Sequence, residues 1–177
     1  MASKPASTGE TRRGSGLARG NASLTSASTV ATVTSDWDVK ANFDLTGFLE
    51  QPLVARLATV WRDRPRVRPI WYLFDGDAFW WLTGHWSAVE REIAAVPSVE
   101  LVVDSCDLAT HEVLQVRARG VAEIRPYDDA RAQRWGQRYL GPDRADWGRF
   151  AASVFDDPST VFVRMAPDWL WARDLSW

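Results

Sequence analysis

The chain has 177 residues and a formal net charge of −2 at neutral pH, with 46 % hydrophobic and 25 % charged residues. These values are typical of a globular protein and give no electrostatic reason to expect nucleic-acid binding. The single cysteine excludes an internal disulfide. Because the chain has only this cysteine and two histidines, no metal site is expected. The sequence has no apolar run of membrane-spanning length, and we therefore expect a cytoplasmic protein.

Residues 1–35 are predicted to form a disordered leader, and residues 36–177 a single domain. The leader is rich in Ser, Thr, Ala and Gly, with three arginines near its start. Such a segment buries too little apolar surface to offset the entropy lost on ordering. It lacks the apolar core of a secretory signal, so a simple tail or a transit peptide are the alternatives.

The first predicted element of the domain is a short helix over Asp44–Gln51, which Pro52 ends. The stretch from Leu53 to Thr83 then predicts three successive antiparallel strands joined by two tight turns. An Asp-Gly pair between apolar runs is a strong hairpin signal, because Gly tolerates the positive φ of such turns. The expected strands are Leu53–Trp61, Arg66–Phe74 and Ala78–Thr83, with turns at Arg62–Pro65 and Asp75–Asp77.

A second helix is expected over Ala88–Ala95, with Ser87 and Glu90 forming a capping box. A buried strand over Val99–Val103 and a turn over Asp104–Thr110 follow. The next strand, Glu112–Ile124, alternates so that Leu114, Val116, Ala118 and Gly120 share one face, and Gly120 indicates a bend or bulge.

Two more helices and two more strands complete the domain. The helices are expected from Pro126 to Tyr139 and from Asp143 to Ser153, and the strands over Ser159–Met165 and Trp169–Asp174. The total is six to seven strands, mostly antiparallel, with a few short helices. This pattern predicts a mainly β fold of the barrel type rather than a parallel α/β sheet.

Common catalytic signatures, such as GxSxG, a P-loop or HExxH, are missing from the sequence. Cys106 has acidic neighbours, which raise a thiol pKa, so a small filler is a better interpretation than an activated nucleophile. One constellation stands out as a candidate: Arg66 and Arg68 share a strand face, and Thr83 and Ser87 flank the start of a helix. They can form a phosphate cradle, or the hydroxyls simply cap while Arg68 is solvated.

The pattern LATVW, RVRPIWYLFDGD, FWWLTGHWS, VPSVELVVD and LQVRARGVAEI resembles the pyridoxamine 5′-phosphate oxidase-like family of FMN-binding split β-barrels. The resemblance covers roughly residues 48–124, with a weaker match near the end of the chain. It implies a homodimer with cofactor sites at the subunit interface. Members bind FMN, a deazaflavin or haem, so each of these cofactors is an expectation for this chain.

The resemblance also assigns cofactor-binding residues. Arg68 is placed at the flavin, Pro69, Ile70 and Trp71 line its ring, and Gln115 reaches the cofactor, often across the dimer. The resemblance places the hydroxyls of Thr83 and Ser87 near the cofactor phosphate. It also places Trp171 and Arg173, near the end of the chain, beside the same pocket.

Two departures from the family pattern weaken the phosphate end of this site. The Arg-Lys pair that often follows the serine is replaced by Ala88 and Val89, and a lysine that often ends the second strand is replaced by Leu73. Arg91, one turn into the helix, is the candidate substitute for the missing charge.

The eleven tryptophans are expected mainly in the core or at a dimer interface. Adjacent Trp80 and Trp81 must point to opposite sides of their strand, so one is expected to face a ligand or a second subunit. Trp86, in the loop before the second helix, is the candidate to stack on a planar ring.

The sequence therefore predicts an FMN-dependent oxidoreductase acting on an unidentified small molecule, with hydride transfer done by the cofactor. No catalytic side chain is assigned. The alternatives are a deazaflavin-dependent reductase, a non-catalytic protein that binds flavin, deazaflavin or haem, and a structural dimer without a ligand. Pyridoxamine phosphate oxidase activity itself is not expected.

Overall fold

The computed structural model describes residues 36–177, and the predicted disordered leader lies outside them. Eight strands and four α-helices follow one another in this part of the chain. The strands are β1 (Asp36–Lys40), β2 (Ala55–Trp61), β3 (Arg64–Ile70), β4 (Leu73–Phe74), β5 (Phe79–Thr83), β6 (Ser98–Asp107), β7 (Glu112–Arg125) and β8 (Val161–Asp174). The helices are α1 (Leu45–Glu50), α2 (Val89–Ala95), α3 (Asp129–Leu140) and α4 (Gly148–Phe155), with a 3-10 turn at Arg144–Trp147.

All eight strands belong to one sheet with the order β3-β2-β6-β7-β8-β5-β4, and β1 adds to it through β8. Every neighbouring pair is antiparallel except β1 and β8, which are parallel. The mainly β, split-barrel fold class is therefore confirmed. The sequence analysis missed β1, whose only strand partner in the described chain is more than 100 residues away in sequence.

The prediction of three consecutive paired strands over Leu53–Thr83 is wrong in its middle. β3 begins at Arg64 and ends at Ile70, and two residues without strand structure separate it from β4. We call this interruption the β3-β4 break. The break occurs because both backbone groups of Tyr72 bond to the Tyr139 hydroxyl, the N–H at 3.0 Å and the carbonyl at 2.9 Å. The β2-β3 and β4-β5 hairpins consequently lie at opposite ends of the sheet order.

Later strands also differ from prediction. β6 continues to Asp107, so Asp104 and Cys106 lie on a strand and not in a turn. The strand extends this far because residues 104–107 pair in register with residues 112–115 of β7. The Asp104 carboxylate also pairs with Arg56 on β2 at 2.5 Å. The last two predicted strands are one continuous strand, β8.

The bulge expected at Gly120 is confirmed. Arg119 pairs with Trp169 and Gly120 with Pro167, which leaves Asp168 as the extra residue on β8. A Cβ at position 120 would lie 2.5 Å from the carbonyl oxygen of Ala166, so only glycine fits this close approach.

The core has two parts. The larger cluster is enclosed by the sheet and includes Leu57, Tyr72, Leu101 and Leu170, together with the buried face of β7 that the alternation predicted. The smaller cluster packs α3 and α4 against β5 and β8, and it is mostly aromatic: Trp80, Trp135, Trp147, Phe155 and Phe162. No helix within residues 36–177 is long and apolar enough to cross a membrane.

Candidate functional site

A cleft of about 540 Å³ opens between the end of β3, the loop before α2, and the helices α3 and α4. Its volume lies within the range of small-molecule sites, roughly 300–1,000 Å³. Six of the residues singled out from the sequence line it: Arg68, Pro69, Ile70, Trp71, Trp86 and Ser87. The first four of these residues are consecutive: Arg68, Pro69 and Ile70 end β3, and Trp71 lies in the break before β4.

One side of the cleft is an aromatic wall made by Trp71, Trp135 and Phe150. The ring of Trp71 lies 5.2 Å from each of the other two rings. The indole N–H of Trp135 donates a hydrogen bond to the Trp71 carbonyl at 3.2 Å. Each of the three rings packs against the other two, and together they offer an aromatic surface that suits a planar, largely apolar molecule.

The cleft lining also includes Trp86, a residue that is 51 % exposed. Its indole nitrogen lies so close to the preceding loop that a Cβ at Gly84 would stand 2.6 Å from it. Glycine at position 84 therefore allows the Trp86 ring to fold over the loop beside Ser87. An exposed aromatic ring at a cavity edge is available for stacking, and the stacking role given to Trp86 from the sequence stays a prediction.

The polar end of the cleft is a charged network on the β2-β3 hairpin and α2. Arg68 donates a hydrogen bond from Nη2 to Glu92 Oε2 at 2.5 Å, and Thr59 donates to the same oxygen at 2.6 Å. The Nε of Arg66 stands 3.6 Å from Glu92 Oε1. We call these four residues the Arg68–Glu92 network. It places a guanidinium, 23 % exposed, at the cleft wall.

Glu92 is only 1 % exposed, and the sequence analysis did not identify it. Burial raises the pKa of a carboxyl group, but the hydrogen bonds from Thr59 and Arg68 and the charge of Arg66 outweigh that effect and keep the pKa of Glu92 below its usual value. Glu92 is therefore a carboxylate at neutral pH. The burial of Glu92 could have been predicted from helical spacing, since Glu92 follows Val89 by three residues and so shares its buried face.

The predicted cradle at the start of α2 forms only in part. The helix begins at Val89, one residue later than expected, and the Val89 N–H donates to Ser87 Oγ at 3.2 Å. The expected capping box with Glu90 does not form, because the Ser87 N–H bonds to the Gly84 carbonyl at 2.9 Å. Thr83 is buried and does not line the cleft, and its Oγ1 has no hydrogen-bond partner within the described residues.

The remaining predicted residues lie elsewhere. Arg91 places its guanidinium over the Trp61 ring at 4.9 Å and borders a second surface depression with His85, Ser87 and Glu90. Gln115 and Arg173 are paired across β7 and β8, where Arg173 bonds to Asp38 at 2.6 Å and lies over the Trp171 ring. Arg91 and this second group, Gln115, Trp171 and Arg173, are outside the cleft lining of the chain.

Of the adjacent tryptophans, Trp81 contributes to the cleft lining and Trp80 packs in the smaller core cluster. The guanidinium of Arg131 covers the Trp80 ring at 3.7 Å. Within the described residues no group of three His, Cys, Asp or Glu side chains could hold a metal ion.

The residues that line the cleft suit the ring system of a flavin-type cofactor. Trp71, Trp86 and Ile70 offer flat or apolar surfaces on several sides of the cavity, as an isoalloxazine ring requires. A phosphate would meet one cation, Arg68, which Glu92 already engages.

Comparison with known proteins gives a family. The model of the pyridoxamine 5′-phosphate oxidase family matches residues 44–174. An F420 reductase of known structure is 28 % identical, with a TM-score of 0.53 and coverage of 75 % of this chain and 98 % of its own. No curated protein sequence matches the chain.

Two other solved structures support the fold alone, given their low identity. A conserved hypothetical protein from Mycobacterium tuberculosis is 23 % identical, with a TM-score of 0.62 and coverage of 77 % of this chain and 86 % of its own. A FAD-binding protein from Mesorhizobium loti is 20 % identical, with a TM-score of 0.52 and coverage of 74 % of this chain and 92 % of its own.

Proposed function

The chain belongs to the pyridoxamine 5′-phosphate oxidase family, and from this membership we propose that it is an oxidoreductase that binds a flavin-type cofactor, FMN or the deazaflavin F420, in the cleft. The observation that carries the proposal is the joining of an aromatic wall and a guanidinium in one cavity of suitable size. Aromatic faces hold a planar ring, and a guanidinium holds an anionic tail.

The bound cofactor would supply hydride transfer. The protein's own residues bind, orient and exclude water. Trp71 and Trp86 border the ring, Ile70 and Val89 keep water from it, and Arg68 with the Ser87 hydroxyl anchors the polar tail. The described site offers no nucleophile paired with a general base, which agrees with chemistry that is carried by a cofactor.

Between the two cofactors, two observations favour F420. The F420 reductase shares 28 % identity over almost its whole length. The cations that would neutralise an FMN phosphate in many family members are replaced here by Ala88 and Val89. FMN is the second candidate, because the Arg68 guanidinium lines the cleft and can pair with a phosphate.

We also propose that the protein is a homodimer in which Gln115, Trp171 and Arg173 approach the cleft of a second copy. These residues lie outside the cleft of their own chain. The proposal predicts a particle of twice the 19.9 kDa chain mass by light scattering. A monomer that still binds the cofactor tightly would contradict it.

The test of function is an absorption spectrum of freshly purified protein, followed by titration with FMN and with F420. Tight uptake of either supports the oxidoreductase proposal, and the loaded protein should then oxidise a reduced nicotinamide or pass electrons to an acceptor dye. Uptake without any such turnover would favour the second candidate, a non-catalytic carrier of the cofactor. No uptake of either would contradict both.

A further inference from the structure

The polar end of the cleft carries charges of both signs. Arg66 and Arg68 contribute two positive charges, and the buried Glu92 contributes one negative charge within 3.6 Å of both guanidinium groups. The Arg68–Glu92 network therefore has a net charge of +1 (two minus one). Ser87, the other polar residue at this end of the cleft, is neutral.

The negative charge of this network is fixed in place. Glu92 sits on the buried face of α2 and receives hydrogen bonds from β2 and β3 at once, through Thr59 and Arg68. Thr59 and Arg66 are themselves paired across those strands, so the partners of Glu92 share one rigid hairpin. Because a charge-assisted bond is strong and geometrically restrictive, Arg68 cannot turn freely toward an incoming anion.

We propose that Glu92 determines the ligand specificity of the cleft. Because of Glu92, the cleft selects ligands with a singly charged anionic group over ligands with a doubly charged phosphate. The inference rests on the proposed function, since it concerns the polar tail of a ligand whose ring lies in the same cleft. Glu92 acts through Arg68: it holds the guanidinium at the wall and cancels part of its charge.

The two candidate cofactors differ in this respect. A phosphate monoester such as that of FMN carries about −1.5 to −2 charges at neutral pH. A phosphodiester, the linkage in F420, carries a single negative charge at the phosphate. A network of net charge +1 balances the diester, whereas the monoester leaves an unbalanced negative charge close to the Glu92 carboxylate.

The first experiment needs only the wild-type protein. Dissociation constants are measured by fluorescence titration for riboflavin, FMN and the methyl diester of FMN, which share one ring system and differ in charge. We expect the diester to bind at least as tightly as FMN. Preference for FMN over its diester by about tenfold, the effect of one favourable unit charge nearby, would overturn the inference.

The second experiment uses Glu92→Gln, which keeps the size of the side chain and removes its charge. Its ratio of riboflavin to FMN dissociation constants should rise by about tenfold over wild type, because Arg68 is then free to neutralise the phosphate. The matched control is Glu123→Gln on β7, which removes the same charge from an exposed side chain outside the cleft lining and should leave the ratio within about twofold.

A third variant assigns the effect to Arg68. In the double variant Arg68→Met with Glu92→Gln, the gain in FMN preference should disappear, since the guanidinium that Glu92 restrains is gone. An unchanged ratio in Glu92→Gln, with all three ligands still bound, overturns this inference and leaves the proposed function intact. Failure of every ligand, F420 included, to bind the wild-type protein overturns both.

Discussion

The ring of Tyr139 stacks on that of Trp71, with centroids 4.7 Å apart and planes 7° from parallel. The hydroxyl of the same tyrosine lies 2.8 Å from the Leu53 carbonyl and accepts a hydrogen bond from the Tyr72 N–H at 3.0 Å. One side chain on α3 therefore supports the aromatic wall of the cleft with its ring and the break between β3 and β4 with its hydroxyl.

Tyr139→Phe should lower the free energy of unfolding by about 1–3 kcal/mol, because it leaves buried backbone groups of Tyr72 without their partner. The stacked ring remains, so the wall itself should persist. Urea denaturation followed by circular dichroism measures the loss. The control is Tyr127→Phe, whose hydroxyl makes only a 3.5 Å contact with Asp129; its change should stay within about 0.5 kcal/mol.

Gly136→Ala is predicted to destabilise the helical layer that backs the cleft. A Cβ at position 136 would overlap carbons of the Trp147 ring, whose indole nitrogen is held by the Gly141 carbonyl at 2.9 Å. Because Trp147 is buried, it cannot move aside cheaply, and overpacking of this kind costs about 1–3 kcal/mol. Thermal melting should show the loss, whereas Gln137→Ala, on the exposed side of the same helix, should leave the midpoint nearly unchanged.

Acid should remove the contribution of Glu92 to stability. The pKa of Glu92 lies below its ordinary value of 4.5 in the folded protein, so its stabilising effect is fully present above that value and is lost as the pH falls through the lower, folded pKa. The difference in unfolding free energy between wild type and Glu92→Gln should therefore shrink as the pH falls below 4.5.

The comparison for this pH dependence is Asp38→Asn. The hydrogen bond from Arg173 lowers the pKa of Asp38 too, but this carboxylate is exposed to solvent, so its removal should change the pH profile much less. A difference between wild type and Glu92→Gln that does not depend on pH would contradict the charged state assigned to Glu92.

Local patterns in the sequence predicted most of the sheet, and the errors have a common cause. The alternation of β7 and the Asp-Gly turn before β5 are signals within a few residues, and both appear in the structure. The break after Ile70 has no local signal, since Trp71 and Tyr72 are good strand residues. The break depends on Tyr139, which lies 67 residues after Tyr72 in the chain.

The candidate site shows the same division. Arg68 was found because a motif surrounds it, and the cleft does include it. Glu92 was missed, although its helical position implies burial, because a carboxylate on a buried face is explained only when the two arginines opposite it are known. The positions of Arg91 and Arg173 depend on tertiary contacts, with Trp61 and Asp38 respectively, that no spacing in the sequence specifies.

The prediction that bears most directly on the cleft concerns Trp86. Its half-exposed ring borders the cavity beside Ser87, so Trp86→Ala should weaken cofactor binding by about tenfold through the loss of stacking. The control is Trp177→Ala, which removes an equally large and 71 % exposed indole that stacks on His111 away from the cleft.

Titration of both variants with FMN and F420 measures the effect, and the wild-type affinity provides the scale. A loss in Trp86→Ala alone places the ring of the cofactor beside this loop. Equal affinity in wild type and Trp86→Ala would contradict stacking on Trp86 and direct the search to the other aromatic residues of the cleft lining, the wall around Trp71 and the ring of Trp81. Equal losses in both tryptophan variants would contradict a local stacking role, since Trp177 lies outside the cleft lining.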